Sequence, residues 1–200
     1  MVLDEKYHRL CSTVSDIYEH LPTLKEYASK CNIVVECGVR TIVSSYAFAC
    51  GLLGNSKNKL YMVDPVRSNE MPSFLNICKS EGINAEFFNQ SDLQCPIVET
   101  DLLFIDTWHV YGQLKRELER WNSHVSKYII MHDTTIDEWV GETIRNGWNA
   151  NQQSIQHGIP INEILKGLWP AIQEFLDGHP EWVLAKRYTN NYGLTILERK

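Results

Sequence analysis

The sequence predicts an α/β protein: a mostly parallel sheet with helices on both faces and an antiparallel hairpin at its C-terminal end. Three observations carry this expectation. Short apolar runs bounded by polar turn residues recur along the chain, and runs apolar on both faces belong to strands covered on both sides. Segments with apolar residues at helical spacing separate them. The clearest unit is Asp101–Thr135, which reads strand, turn, helix, strand. Leu102–Ile105 stops at Asp106, a helix carries Tyr111, Leu114, Leu118, Trp121 and Val125 on one face, and Tyr128–Met131 stops at His132 and Asp133. Parallel strands joined by one helix end at the same sheet edge, where ligands of open α/β sheets bind. Asp106, His109, His132 and Asp133 are therefore expected to meet there.

The other elements follow in chain order. Tyr7, Leu10, Val14, Ile17, Tyr18 and Leu21 recur at helical spacing, and Pro22 suits the first turn of a second short helix through Ala28. Residues 1–30 thus read as a helical cover for the sheet. Asn32–Val35 is a strand ending in Glu36-Cys37-Gly38, followed by a helix from Thr41 to Leu53. This turn suits a nucleotide-type cofactor, because glycine admits close backbone approach and a helix N-terminus favours an anion. It is not a dinucleotide fingerprint, since Arg40 and Val43 stand where glycines belong, and no GK[ST] makes it a P-loop. Leu60–Val63 is the second strand, and Asp64 at its end is placed either to accept from ribose hydroxyls or to cap the Pro72 helix. Ala85–Phe88 is the third strand, and a polar pair in Asn89-Gln90-Ser91-Asp92 beyond it either holds an adenine amino group or makes an ordinary turn. Residues 134–160 are polar and unperiodic, with Trp139 and Trp148; such a segment either lines a substrate pocket or packs as a cap. A helix from Pro160 to Gly178, broken or kinked at Pro170, precedes the hairpin Trp182–Tyr188 and Gly193–Glu198.

Length and composition bound the function. Two hundred residues suit a single domain spanning 1–200, either alone or as one domain of a longer protein. A net charge of −6 without a basic cluster points away from nucleic acid, and no apolar run is long enough to span a bilayer. Six scattered cysteines without a CxxC pair suit reduced thiols and a cytoplasmic location.

Five β/α units, a helix and a terminal hairpin resemble the Rossmann-like class I S-adenosylmethionine-dependent methyltransferase fold, with its seven-stranded sheet. The phrases VVECGVRTIVSS, LYMVDP, DLLFIDTWHVYGQLKRELERW, YIIMHDTT, GLWPAI and YTNNYGLTIL look more narrowly like metal-dependent sugar and small-molecule O-methyltransferases. Cephalosporin-hydroxylase-like and macrolide-sugar enzymes belong to that set. The resemblance implies S-adenosylmethionine as cofactor. Glu36, Cys37, Gly38 and Ser44 would surround its methionine moiety, Asp64 its ribose, and Ser91 and Asp92 its adenine, with Asp106 beside them; Trp108 either forms a cofactor or acceptor wall or packs at the strand end. Similar enzymes hold Mg²⁺ with acids after the fourth and fifth strands, positions that Asp106 and Asp133 match. His132 departs from that oxygen-ligand pattern. If it coordinates, Mn²⁺ gains over Mg²⁺. The resemblance also implies a small-molecule or glycan acceptor with vicinal hydroxyls, and it leaves open a homodimer or a fusion to glycosyltransferase domains.

Methyl transfer suits these residues because the acceptor hydroxyl must lose its proton as the C–O bond forms. A divalent ion chelating two neighbouring hydroxyls would lower the pKa of one. His109, three residues past Asp106, is the separate candidate base, with Asp106 its rival. Alternatively His109 caps the following helix or stacks beside Trp108. Three other readings stand beside the sugar enzyme: a catechol or phenol O-methyltransferase, a non-catalytic methyltransferase-like binding module, and a nicotinamide-dependent sugar enzyme whose fingerprint is missing.

Overall fold

Side chains alternate along a strand, so a strand that is apolar throughout must be covered on both faces. The computed structural model, which describes Met1–Lys200, has this arrangement. β1 (Ile33–Cys37), β2 (Lys59–Val63), β3 (Ala85–Phe88), β4 (Thr100–Ile105) and β5 (Val125–His132) are parallel. β7 (Leu194–Arg199) lies antiparallel between β5 and β6 (Trp182–Tyr188), giving a seven-stranded sheet of order β3-β2-β1-β4-β5-β7-β6.

Val34, Leu60, Met62, Leu102 and Phe104 share one face and pack with residues of α1 (Val2–Cys11), α2 (Leu21–Ala28), α3 (Val43–Leu52) and α4 (Met71–Ser80). Val35, Val63, Leu103, Ile105 and Ile129 share the other, with α5 (Tyr111–Trp121) and α9 (Trp169–Gly178). Each fully buried side chain of this size stabilises the fold by roughly 1.5–3 kcal/mol. These two apolar layers, not helix propensity, hold the short helices in place. The remaining helices, α6 (Glu142–Arg145), α7 (Ala150–His157) and α8 (Ile161–Ile164), lie between β5 and α9 in the chain.

Several boundaries differ from the expectation. The first helix ends at Cys11 instead of Leu21. Ser12 and Thr13 turn their hydroxyls back onto the carbonyls of His8 and Arg9, an alternative to continuing the helix. Ile17 reaches the core from the irregular stretch beyond. α3 starts at Val43, because Arg40 and Ile42 take positive φ values of 42° and 63° as the chain turns over the sheet edge. Val125 belongs to β5, since the helix before it tightens into a 3₁₀ turn at Asn122–His124. The helix expected from Pro160 is two helices, with Pro170 in the first turn of α9, where its missing N–H leaves nothing unpaired.

From β1 the chain winds outward through β2 to β3, whereas β4 on its other flank leads to β5. The carboxyl ends of β1 and β4 therefore frame the crevice at which ligands of such sheets bind. Gly38 makes that crevice. Its φ is +87°, and a Cβ there would stand 1.9 Å from the carbonyl oxygen of Asp106. The two strand ends touch through backbone alone. Gly38→Ala should accordingly destabilise the fold by about 2–4 kcal/mol. Gly82→Ala, at a similar φ of +79° with nothing within 4 Å, should cost about 1 kcal/mol. Denaturant midpoints of the two variants test this, and equal losses would mean that the strand ends have room to part.

Candidate functional site

Residues that sequence places at four strand ends converge on one edge. Glu36, near the end of β1, is buried, and its carboxylate accepts from the hydroxyls of Ser44 and Ser45 on α3. Burial pushes that carboxyl up to about 8, against the two serine donors that favour its charged form. Cys37 points the opposite way, into the apolar layer with Val35 and Ile105, so only its backbone reaches the turn. Asp64 does not cap α4. Its Oδ2 accepts from the N–H groups of Val39 (2.9 Å) and Arg40 (3.0 Å), and its Oδ1 from Val66 (2.7 Å). The acid thus holds the turn after β1 in shape. Asn89 is likewise spent on structure, donating to the carbonyls of Asp64 and Pro65.

A cavity of about 630 Å³ opens above these strand ends, lined among others by Gly38, Asp64, Ser91, Asp92, Asp106 and Trp108. Most of the residues expected around a nucleoside-type cofactor border this one space. His157, to which no role was expected to fall, also lines it; its ring centroid lies 4.8 Å from that of Trp108. Trp139 and Trp148 border neither this cavity nor the smaller one beside it, and both are about half exposed.

The smaller cavity, about 160 Å³, adjoins Gly38 and Asp106 on the other side and is lined by Arg40, Thr41, Ser44, His109 and Glu142. Here the acids gather. His109 Nε2 lies 3.1 Å from Asp106 Oδ1 and 3.1 Å from Asp133 Oδ2. Its Nδ1 lies 3.2 Å from Asp137 and 3.5 Å from Glu142. His109 neither caps α5, whose N-cap is Val110, nor stacks on Trp108, which pairs with His157. Burial opposes charge on His109, but Asp106, Asp137 and Asp133 outweigh it and raise its pKa well above the usual histidine value. His132 follows the same logic. Burial works against its charge, yet Asp106 and Asp133 push it up to about 10. Asp106 is held far below the ordinary carboxylate range, because the cations of His132 and His109 overcome the cost of its burial.

Asp106, His109 and Asp133 each offer a donor atom within 4.8 Å of the others. The Nε2 of His132 engages the carbonyl of Asn191 (3.1 Å), and its buried Nδ1 faces Asp133 at 3.1 Å without a hydrogen bond. An orphaned imidazole nitrogen beside two carboxylates fits an imidazole-tolerant divalent ion. The expected metal ligands Asp106, His132 and Asp133 thus lie together, joined by His109, which was expected apart as the base. Two residues were missed. Asp137 is fully buried, accepts from Arg145 at 2.6 and 2.8 Å, and lies one turn beyond Asp133, an i,i+4 spacing that was legible in the sequence. Glu142 arrives from the segment after β5, and no local pattern marks it.

No protein-family model and no curated protein sequence matches this chain. Solved structures do. An O-methyltransferase from Bacillus cereus in complex with S-adenosylhomocysteine shares 15% identity at a TM-score of 0.62, covering 99% of this chain and 90% of that one. A methyltransferase from Podospora anserina with the same ligand shares 14% at a TM-score of 0.59, over 99% and 87%. The magnesium protoporphyrin IX methyltransferase of Synechocystis, again with that ligand, shares 14% at a TM-score of 0.55, over 98% and 93%. The chain has the Rossmann-like class I methyltransferase fold.

The state of Glu36 has a measurable consequence. The unfolded carboxyl ionises near its ordinary value while the folded one stays protonated to about pH 8. Its contribution is therefore fully present at low pH and declines as pH rises from about 5 to 8. Glu36→Gln should flatten that decline in denaturant midpoints measured across the window; an unchanged slope would mean that Glu36 is ionised in the folded protein.

Proposed function

We propose that this chain is an S-adenosylmethionine-dependent O-methyltransferase acting on a hydroxyl that has a second hydroxyl beside it, a sugar before a phenol. The observation that carries this reading is the adjacency of two spaces at the switch point of a methyltransferase fold. The larger suits a nucleoside-bearing cofactor, and the smaller is lined by Asp106 and His109, behind which Asp133 and His132 complete the cluster. They meet at Gly38 and Asp106, which line both.

In this reading Asp64 keeps the turn after β1 shaped for the cofactor, and Gly38 lets the backbone come close to it. Ser91 and Asp92 stand at the base end of the large cavity and Trp108 forms its wall. Glu36 and Ser44 support the methionine end from beneath, through the hydrogen bond that joins them. Asp106 and Asp133, with Nε2 of His109 and Nδ1 of His132, would hold a divalent ion, and the imidazoles favour Mn²⁺ over Mg²⁺. Such an ion, when bound, lowers the pKa of a chelated hydroxyl. Asp137 lies 3.2 Å from His109 Nδ1, and its charge favours the ring orientation that leaves the other nitrogen toward Asp106 and Asp133. Orienting the hydroxyl against the methyl group is worth several kcal/mol, by order of magnitude, over a free encounter.

A hydroxyl-rich acceptor is favoured by the small cavity. Arg40, Thr41, Asp106 and Glu142 line it, and no Phe, Tyr or Trp does. A flat phenol would want an aromatic wall to stack on, and the apolar residues here, Ile17, Val39 and Val43, are all aliphatic.

Calorimetric titration with S-adenosylhomocysteine should show one site per chain. Labelled S-adenosylmethionine should pass its methyl group to sugars bearing vicinal hydroxyls ahead of catechols. A chain that binds the cofactor product but methylates neither class is a binding module instead. Chelation with EDTA should abolish transfer and Mn²⁺ or Mg²⁺ should restore it, while activity that survives thorough chelation removes the ion from the reaction. Asp106→Asn and Asp133→Asn should each lower turnover by roughly a hundredfold or more while cofactor binding persists. His109→Ala should lower both turnover and metal affinity. Loss of turnover with metal affinity intact would return His109 to the role of separate base.

A further inference from the structure

α5 is amphipathic, yet its buried face carries two polar side chains, Gln113 and Glu117, one turn apart among Leu114, Leu118 and Trp121. Glu117 is 1% exposed and Gln113 is 8% exposed. Polar groups are costly there unless paired, so their pairing is informative. Glu117 Oε1 accepts from the hydroxyl of Thr107 and from Gln113 Nε2 at 2.8 Å. The same Gln113 nitrogen lies 3.3 and 3.4 Å from the two carboxylate oxygens of Asp92. An amide nitrogen has two hydrogens, and two acids take both.

The direction of the amide follows. Turning it over would set the carbonyl oxygen against both oxygens of Asp92 and against Glu117 Oε1, which already accepts from Thr107, so these acceptors fix the flip. Gln113 Oε1 is left without a donor from the protein, on a side chain that lines the 630 Å³ cavity beside Asp92 and Trp108. Asp92 itself, 6% exposed, accepts long hydrogen bonds of 3.3–3.4 Å from Ser91 and Gln113. The glutamine carbonyl is thus an acceptor with no protein donor, standing in this corner beside the carboxylate of Asp92.

We propose that Gln113 selects the base of the cofactor. Its carbonyl oxygen, aimed by Glu117 and Asp92, accepts from an exocyclic amino group and so admits a 6-aminopurine in preference to a 6-oxopurine. Glu117 acts through Gln113 as a positioning residue. The inference rests on the cofactor reading above, and adds a specificity determinant on α5 to the strand-end residues Ser91 and Asp92. A 6-oxo group would point its lone pairs at the carbonyl of Gln113, leaving two acceptors face to face in a confined site.

The test is calorimetric and needs no acceptor or metal. Wild-type chain is titrated with S-adenosylhomocysteine and with S-inosylhomocysteine, which differs by a 6-oxo group. The adenosine compound should bind at least about tenfold more tightly. Gln113→Met, similar in length without the carbonyl, should lose about tenfold on the adenosine compound and about twofold or less on the inosine compound. Glu117→Gln, which can donate as well as accept and so frees the amide to flip, should narrow the wild-type ratio while thermal unfolding confirms its fold. Equal binding of the two compounds by wild type overturns the inference. So does a ratio that both variants leave unchanged, or a loss in Gln113→Met that falls equally on both compounds. If wild type binds neither compound, the cofactor reading fails and this inference falls with it.

Discussion

Carboxylates crowd one edge of this sheet, and the crowding persists only because positive charge stays among them. Asp106, Asp133, Asp137 and Glu142 all approach His109. Two like charges within 4.8 Å repel by about 3–4 kcal/mol at an effective dielectric of 20, the spacing that Asp106 and Asp133 share with His109 between them. Protons on His109 and His132 supply the compensation, which is why both rings are pulled toward their charged forms and Asp106 toward its own. A divalent cation would compensate the same acids. The edge is built around a cation in either case.

The scaffold's task is to keep that edge from collapsing. Asp106 is brought to β1 by backbone contact at Gly38, where any side chain would push the strands apart. Asp133 leaves β5 with φ at 58°, a left-handed corner that starts the turn leading to Asp137. Asp137 is then locked by two hydrogen bonds from Arg145. The turn between β6 and β7 closes the arrangement from the far side. The carbonyl of Asn191 engages His132, while its side chain bonds Glu19 N–H and the carbonyl of Ser15. One turn therefore ties a site histidine to the N-terminal segment, and the first and last elements of the chain are joined beside the cluster.

Polar groups buried on α5 play the equivalent part for the larger cavity. Glu117 and Asp92 share one amide, and that sharing gives Gln113 a direction. Networks of this kind specify a single geometry because an unpaired buried polar atom costs more than the pairing gains.

Much of this was legible before folding was considered. Apolar runs ending in Asp64, Asp106 and Asp133 located strands whose ends carry the acids, since a parallel sheet buries both faces of a strand and exposes only its ends. The glycine turn after Glu36 and the terminal hairpin were equally local. What sequence could not determine was partnership across distance. Nothing in the run IDTWH says that His109 faces four acids rather than capping α5. Val110 takes the cap, and Glu142 approaches from a segment without periodicity. No local pattern marks His20 or His157, yet one is buried 5.7 Å from the ring of His132 and the other meets Trp108. Gln113 was hidden within an amphipathic pattern that treats every buried position as apolar. Periodicity reports which face a residue takes, because that depends on backbone geometry alone; which polar group it meets there depends on how separate elements pack, and only the tertiary structure decides that.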